Sequence, residues 1–156
     1  MSIHCICGID PGISGAVAFY FPASPDHVTA EDLPIAAGAI DCATLAARIV
    51  QMAPDVAIVE RVGAMPKQGI ASTFKFGTSY GCLLGVLGAL QIRTVLVTPQ
   101  IWKRHFRLDS DKEKSRALAL RTFAKTPEPF GRKRDDGRAE ASLLALYGAS
   151  IEGRQP

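Results

Sequence analysis

The chain has no apolar run near the ~18–20 residues that a membrane-spanning helix requires. Its longest candidate, Cys82 to Leu90, is short and rich in glycine. Met1-Ser2-Ile3-His4 carries no basic segment of the kind that opens a secretory signal. Cysteine is scarce, and Cys5, Cys7, Cys42 and Cys82 form neither a C-x-x-C pair nor a histidine-linked spacing. That argues against a zinc site and leaves buried free thiols in a reducing cytoplasm as the expectation. Positive charge is missing from the start of the chain, since no Lys or Arg precedes Arg48. From Trp102 onward it is dense: Lys103, Arg104, Arg107, Lys112, Lys114, Arg116, Arg121, Lys125, Arg132-Lys133-Arg134 and Arg138. The net charge of +3 is too small to carry an argument, but its distribution does. A basic half joined to a neutral half points to a polyanionic partner, with a set of solvated helix faces as the alternative.

At 156 residues, 47% hydrophobic and 21% charged, the composition is that of a globular protein. We expect one domain over residues 1–150 and a tail over 151–156. Ile3 to Ile9 is apolar and β-prone, and it stops at Asp10-Pro11-Gly12, a turn signal. Gly15 to Phe21 resumes as a strand, which predicts a hairpin, and a third strand is expected from Glu31 to Ala36. Asp41 is placed to cap a helix carrying Leu45, Ile49 and Met52 until Pro54. Val56 to Val59 and Thr94 to Val97 are short apolar runs suited to buried strands. A glycine-rich helix is expected from about Ala71 to Leu90, with further helices from Thr98-Pro99, from Asp111 to Ala124 and from Asp136 to Ser150. Strands followed by βαβα alternation predict an α/β fold, a mixed sheet with helices on its faces.

Acidic residues sit at informative places. Asp10 ends the first expected strand and Glu60 follows the buried strand Val56 to Val59. Two such carboxylates on neighbouring strands would converge at one end of the sheet, where each resists ionising beside the other unless a hard divalent cation such as Mg²⁺ intervenes. Asp136 and Glu140, four apart, share one face of the last helix. Asp136 also suits a helix N-cap. Glu140 is followed by Ala141, Ser142, Leu143 and Leu144, which suggest a face packed on the sheet, and a carboxylate there needs a compensating ion.

The ordered set of motifs resembles the RuvC-type Holliday-junction resolvases of the RNase H-like superfamily. It comprises Gly8-Ile9-Asp10-Pro11-Gly12 with Gly15, Val59-Glu60, Gly77-Thr78-Ser79-Tyr80-Gly81, Val97-Thr98-Pro99-Gln100-Ile101-Trp102-Lys103, Lys112-Glu113-Lys114-Ser115 and Glu140-Ala141. The ending Asp136-Gly137-Arg138-Ala139-Glu140-Ala141 looks more like the phage and prophage branch. The resemblance implies an RNase H-like mixed five-stranded sheet with helices on both faces. It implies metal ligation by Asp10, Glu60 and Glu140. The family's remaining helix acid falls at Gly137 here, so Asp136 takes that place, with Asp135 in reserve.

The activity implied is structure-selective cleavage of four-way or other branched DNA by a homodimer in the cytoplasm of a bacterial or phage-infected cell. Two Mg²⁺ ions (or Mn²⁺) about 4 Å apart would serve each active site, and Lys114 would offset charge on the transferred phosphate. DNA contacts are expected from Lys67, Phe74, Lys75, Lys103, Arg104, Lys112, Lys114, Lys133 and Arg134. The Gly63 to Gly69 segment would be a loop that orders on DNA. Phe74 and Phe76 are candidates for stacking or for packing, and Trp102 for the core. Two other readings compete. One is a non-catalytic RNase H-like module that binds nucleic acid or protein. The other is an actin-like ATP-binding protein, whose second lobe and second phosphate loop this length cannot hold.

Overall fold

A computed structural model describes residues 3–63 and 69–153. The strands β1 (Ile6–Asp10), β2 (Ala16–Tyr20) and β3 (Val28–Asp32) form an antiparallel meander. Next come the two-residue strands β4 (Ile35–Ala36) and β5 (Ala39–Ile40), then helix α1 (Cys42–Met52) and strand β6 (Val56–Glu60). Helix α2 (Ile70–Ala89), strand β7 (Arg93–Val97) and helices α3 (Pro99–His105), α4 (Lys112–Thr122) and α5 (Asp136–Glu152) complete the order. The main sheet runs β3-β2-β1-β6-β7, with β6 parallel to β1 and β7 parallel to β6. This is the mixed five-stranded α/β architecture expected.

Side-chain alternation divides the core into two layers. Ile6, Ala16, Ala18, Tyr20, Val56 and Ile58 pack with α3, α4 and α5 on one face. Cys7, Ile9, Val17, Phe19, Ala57 and Val59 pack with α1 and α2 on the other. The α5 layer is unusually close to the sheet. A Cβ on Gly8 would lie 2.0 Å from the Ala141 carbonyl oxygen, and one on Gly148 would lie 2.5 Å from Ile58 Cγ1. Glycine at these two positions lets α5 rest on β1 nearly backbone to backbone at Gly8 and directly on the Ile6 and Ile58 side chains at Gly148.

Local chemistry accounts for most boundaries. Asp41 Oδ1 accepts from the backbone N–H of Ala43 and Thr44, both at 3.1 Å, and α1 ends at Ala53 in the left-handed region before Pro54. The third strand departs from expectation: it spans Val28–Asp32 rather than Glu31 to Ala36. Pro34 has no N–H to give to a ladder. The chain therefore leaves the sheet after Leu33, whose N–H donates to Gly15 O, and Ile35–Ala36 folds onto Ala39–Ile40 instead. Two thiols also differ, since Cys5 and Cys7 are buried but Cys42 and Cys82 are only half-buried. At the C-terminus α5 runs through Ile151 and Glu152, two residues of the expected tail, and Glu152 Oε2 pairs with Arg93 at 2.7 Å. Among the described residues no helix is long and apolar enough to cross a membrane.

Candidate carboxylate centre

The alternation that puts Ile6 and Gly8 of β1, and Val56 and Ile58 of β6, against α5 carries on to Asp10 and Glu60. The two strands pair in parallel up to Ile9 with Val59. Each acid is the next residue, at the same end of the sheet and on the same face. The first turn of α5 abuts them, for a Cβ on Gly137 would lie 3.4 Å from Asp10 Oδ2 and 3.1 Å from Ser14 O. The tight turn after Asp10 is set by glycine, since a Cβ on Gly15 would meet the Asp10 carbonyl oxygen at 2.1 Å. Asp136 and Glu140 then enter from α5, the former half-buried and the latter 5% exposed.

The acids feel one another. Burial holds the Asp10 carboxyl well above its usual range, and the charges of Glu140, Glu60 and Asp136 add to that shift against the opposing charge of Lys112. Burial also raises Glu60, helped by Glu140. A hydrogen bond from Trp102 and the charges of Lys103 and Lys112 act the other way. Trp102, wholly buried on α3, donates its Nε1–H to Glu60 Oε2 at 3.0 Å. Lys103 Nζ stands 2.9 Å from Glu140 Oε1, yet outside hydrogen-bond geometry, so that buried oxygen has an ionic neighbour and no hydrogen bond. Lys112 Nζ pairs with Asp136 Oδ2 at 2.5 Å.

Asp135 is drawn elsewhere. Burial pushes its carboxyl up, but hydrogen bonds from Arg132 and the charges of Arg132 and Arg138 hold it below the usual range. The Arg132 guanidinium lies 2.8 Å away, and the Arg132 backbone N–H also donates to it. Asp136, one residue on, is the acid whose charge reaches Asp10.

The remaining expected residues separate into distinct places. Lys114 does not join the acids as anticipated: its ammonium pairs with Asp109, and the charges that raise it are those of Asp109 and Asp111. Lys112 takes that place because it begins α4 and faces the start of α5, whereas Lys114 lies two residues further round the helix. Phe74 is 77% exposed on α2, while Phe76 lies near Gly12 and lines a cleft of about 410 Å³ beside Glu60 with Arg61, Thr98 and Gln100. Lys75, Lys133 and Arg134 are exposed, and Arg104 shares a cleft of about 580 Å³ with Lys103 and Arg107. Lys67, and with it most of the Gly63 to Gly69 loop, lies outside the described residues. Sequence reasoning placed Trp102 in the core but missed its bond to Glu60. Its adjacency to Lys103 was the only available hint.

The donor set is all carboxylate oxygen, which suits a hard divalent cation, and the hydrogen-bond vacancy at Glu140 Oε1 is consistent with an ion neighbour there. As the side chains stand, no three acidic, histidine or cysteine groups among the described residues close a cage for a metal ion. Lys103 and Lys112 stand against two of the four acids instead.

The fold has counterparts among solved structures. The chain is similar to Thermus thermophilus RuvC in complex with a Holliday-junction substrate, at 15% identity and TM-score 0.63, over 95% of this chain and 96% of that one. It is also similar to the fowlpox virus resolvase in complex with Holliday-junction DNA, at 17% identity and TM-score 0.57, over 94% and 98% of the two chains. The yeast mitochondrial Holliday-junction resolvase Ydc2 matches at 16% identity and TM-score 0.55, over 96% and 82%. The fold is therefore the RuvC-type, RNase H-like one that the sequence motifs resembled. No protein-family model and no curated protein matches the sequence.

Proposed function

We propose that the chain is a structure-selective endodeoxyribonuclease that hydrolyses a phosphodiester in four-way or other branched DNA. The observation that supports this most is the meeting of Asp10, Glu60, Asp136 and Glu140, from β1, β6 and α5, in one mutually repelling centre flanked by lysines. The fold it shares with resolvases solved on Holliday-junction DNA supports the choice of substrate.

In this reading the four carboxylates hold divalent ions, Mg²⁺ by preference, two to a site, with Mn²⁺ able to substitute. When bound, such ions supply an activated water and stabilise the leaving oxygen. The protein's own groups do the rest. Trp102 fixes the Glu60 carboxylate through its indole N–H, and the close seat of α5 fixes Asp136 and Glu140 against Asp10. Lys103 and Lys112 supply positive charge beside the place a phosphate would take. The cleft formed by Glu60, Arg61, Phe76 and Gln100 gives one DNA strand a course past the centre. Two such sites in a homodimer would suit a four-way junction cut symmetrically.

The test compares a four-way junction, a flap, a fork, an RNA–DNA hybrid and linear duplex, each with Mg²⁺ and with chelator. Cutting of branched DNA that stops in chelator is expected. Failure to cut any of these substrates with either Mg²⁺ or Mn²⁺ would overturn the proposal.

A further inference from the structure

The acids of the centre stand against two ammonium groups that arrive from different elements. Lys103 reaches in from α3 and is 18% exposed, with its Nζ 5.2 Å from the Trp102 ring centroid. Lys112, the first residue of α4, is 65% exposed. Neither serves one acid alone: Lys112 interacts with Asp136, Glu140 and Asp10, and Lys103 is felt by Glu60 as well as Glu140. Their partner atoms, Glu140 Oε1 and Asp136 Oδ2, belong to two of the four carboxylates that would hold a divalent ion in the reading above.

Both holds are of a kind that is easily given up. Lys103 meets Glu140 Oε1 at an angle too poor for a hydrogen bond. Lys112 is a cation in the first turn of a helix, the wrong end for its charge, so its position there depends on Asp136. Lysine carries its charge on a flexible four-carbon stem and can swing away without moving the backbone. A Mg²⁺–oxygen bond of about 2.0–2.1 Å leaves no room for an ammonium on the same side of the same oxygen.

We propose that Lys103 and Lys112 are resident counter-ions of the metal-free centre. An entering divalent cation displaces both ammonium groups from the carboxylates, and they become available to the phosphate backbone. The lysines therefore compete with metal when DNA is absent and pair with DNA when metal is present. This rests on the metal-dependent reading above.

Two measurements on the full chain without DNA test it. Mn²⁺ binding is measured by calorimetry. Lysine accessibility is measured by limited acetylation with an amine-reactive ester and mass spectrometry, with Mn²⁺ or with Na⁺ at matched ionic strength. Acetylation of Lys103 and Lys112 should rise several-fold with Mn²⁺, while Lys114, paired with Asp109 away from the acids, stays constant. Lys112→Gln should bind Mn²⁺ several-fold more tightly than the wild type, and Lys114→Gln should not. Heat of Mn²⁺ binding with unchanged acetylation at either lysine overturns the exchange and leaves the metal reading standing. No Mn²⁺ binding at all overturns both.

Discussion

The two faces of the central sheet are built on opposite plans. On one, α5 lies so close to β1 that only Gly8 can face Ala141, and four carboxylates gather where that helix begins. On the other, α1 and α2 cover Ile9, Val17, Phe19 and Val59 with Leu45, Ile49, Leu83 and Leu87, a layer of aliphatic and aromatic packing. Helix α2 is also rich in glycine, but Cβ atoms on Gly77, Gly81, Gly85 and Gly88 would meet nothing within 4 Å. The same residue type thus does different work. On the α5 face it permits a helix to dock near enough to hold charges in register. On α2 it leaves open space outside.

That contrast can be broken at several points. Asp10→Asn should reduce cleavage of a four-way junction by more than about 100-fold, since losing a proposed metal ligand should cost more than the ~10–100-fold typical of groups one shell further out. Gel-shift affinity should be unchanged or tighter, because the substitution removes a negative charge from the surface proposed to bind a polyanion. Gly8→Val should destabilise the fold by about 3 kcal/mol or more in urea unfolding, since a Cβ there collides with backbone rather than with a side chain that can turn aside. Gly81→Ala on α2 should instead be neutral or stabilising by up to about 1 kcal/mol.

Trp102→Phe keeps the ring and removes the indole N–H, leaving Glu60 Oε2 without its donor. Junction cleavage should fall by about 10–100-fold with little change in junction binding. A smaller effect concerns pH. A carboxyl whose folded pKa is raised contributes stability that is complete below its unfolded value and is lost as pH climbs through the folded one. Burial together with Glu140, Glu60 and Asp136 raises Asp10 in this way. In metal-free buffer Asp10→Asn should therefore be more stable than wild type near neutral pH, and the gain should vanish on acidification. A difference that is constant across pH would refute the charge strain. Least of all should come from Lys114→Gln, whose exposed pair with Asp109 is worth at most about 1 kcal/mol in thermal unfolding.

How much was legible beforehand varied with the distance over which each feature is decided. Strand ends at Asp10 and Glu60 were readable because apolar runs stop there. The third strand was misplaced because Val28 to Asp32 alternates weakly, whereas the effect of Pro34 depends on which partner strand wants its N–H. Asp135 and Asp136 were hard to separate, being adjacent at the start of a helix. The backbone passes from a 3-10 turn over Lys133–Asp135 into α5 at that point, and Arg132 captures Asp135 on the way. Lys112 and Lys114 were confused for a similar reason: both lie in the first turn of α4, and only the approach of α5 selects between them.

Alternating hydrophobicity, turn residues and caps are local, so the chain alone determined most of its strands and helices and the mixed sheet, and pointed to Asp10, Glu60, Glu140 and the Asp135-Asp136 pair as the acids worth watching. Which face of the sheet those acids share, that Trp102 bonds Glu60, and that Lys112 rather than Lys114 meets Asp136 were decided by tertiary structure. These depend on strand register, on a helix docking against a glycine, and on charges brought together from residues 10, 60, 112 and 136, whose interaction exists only once the backbone has closed around them.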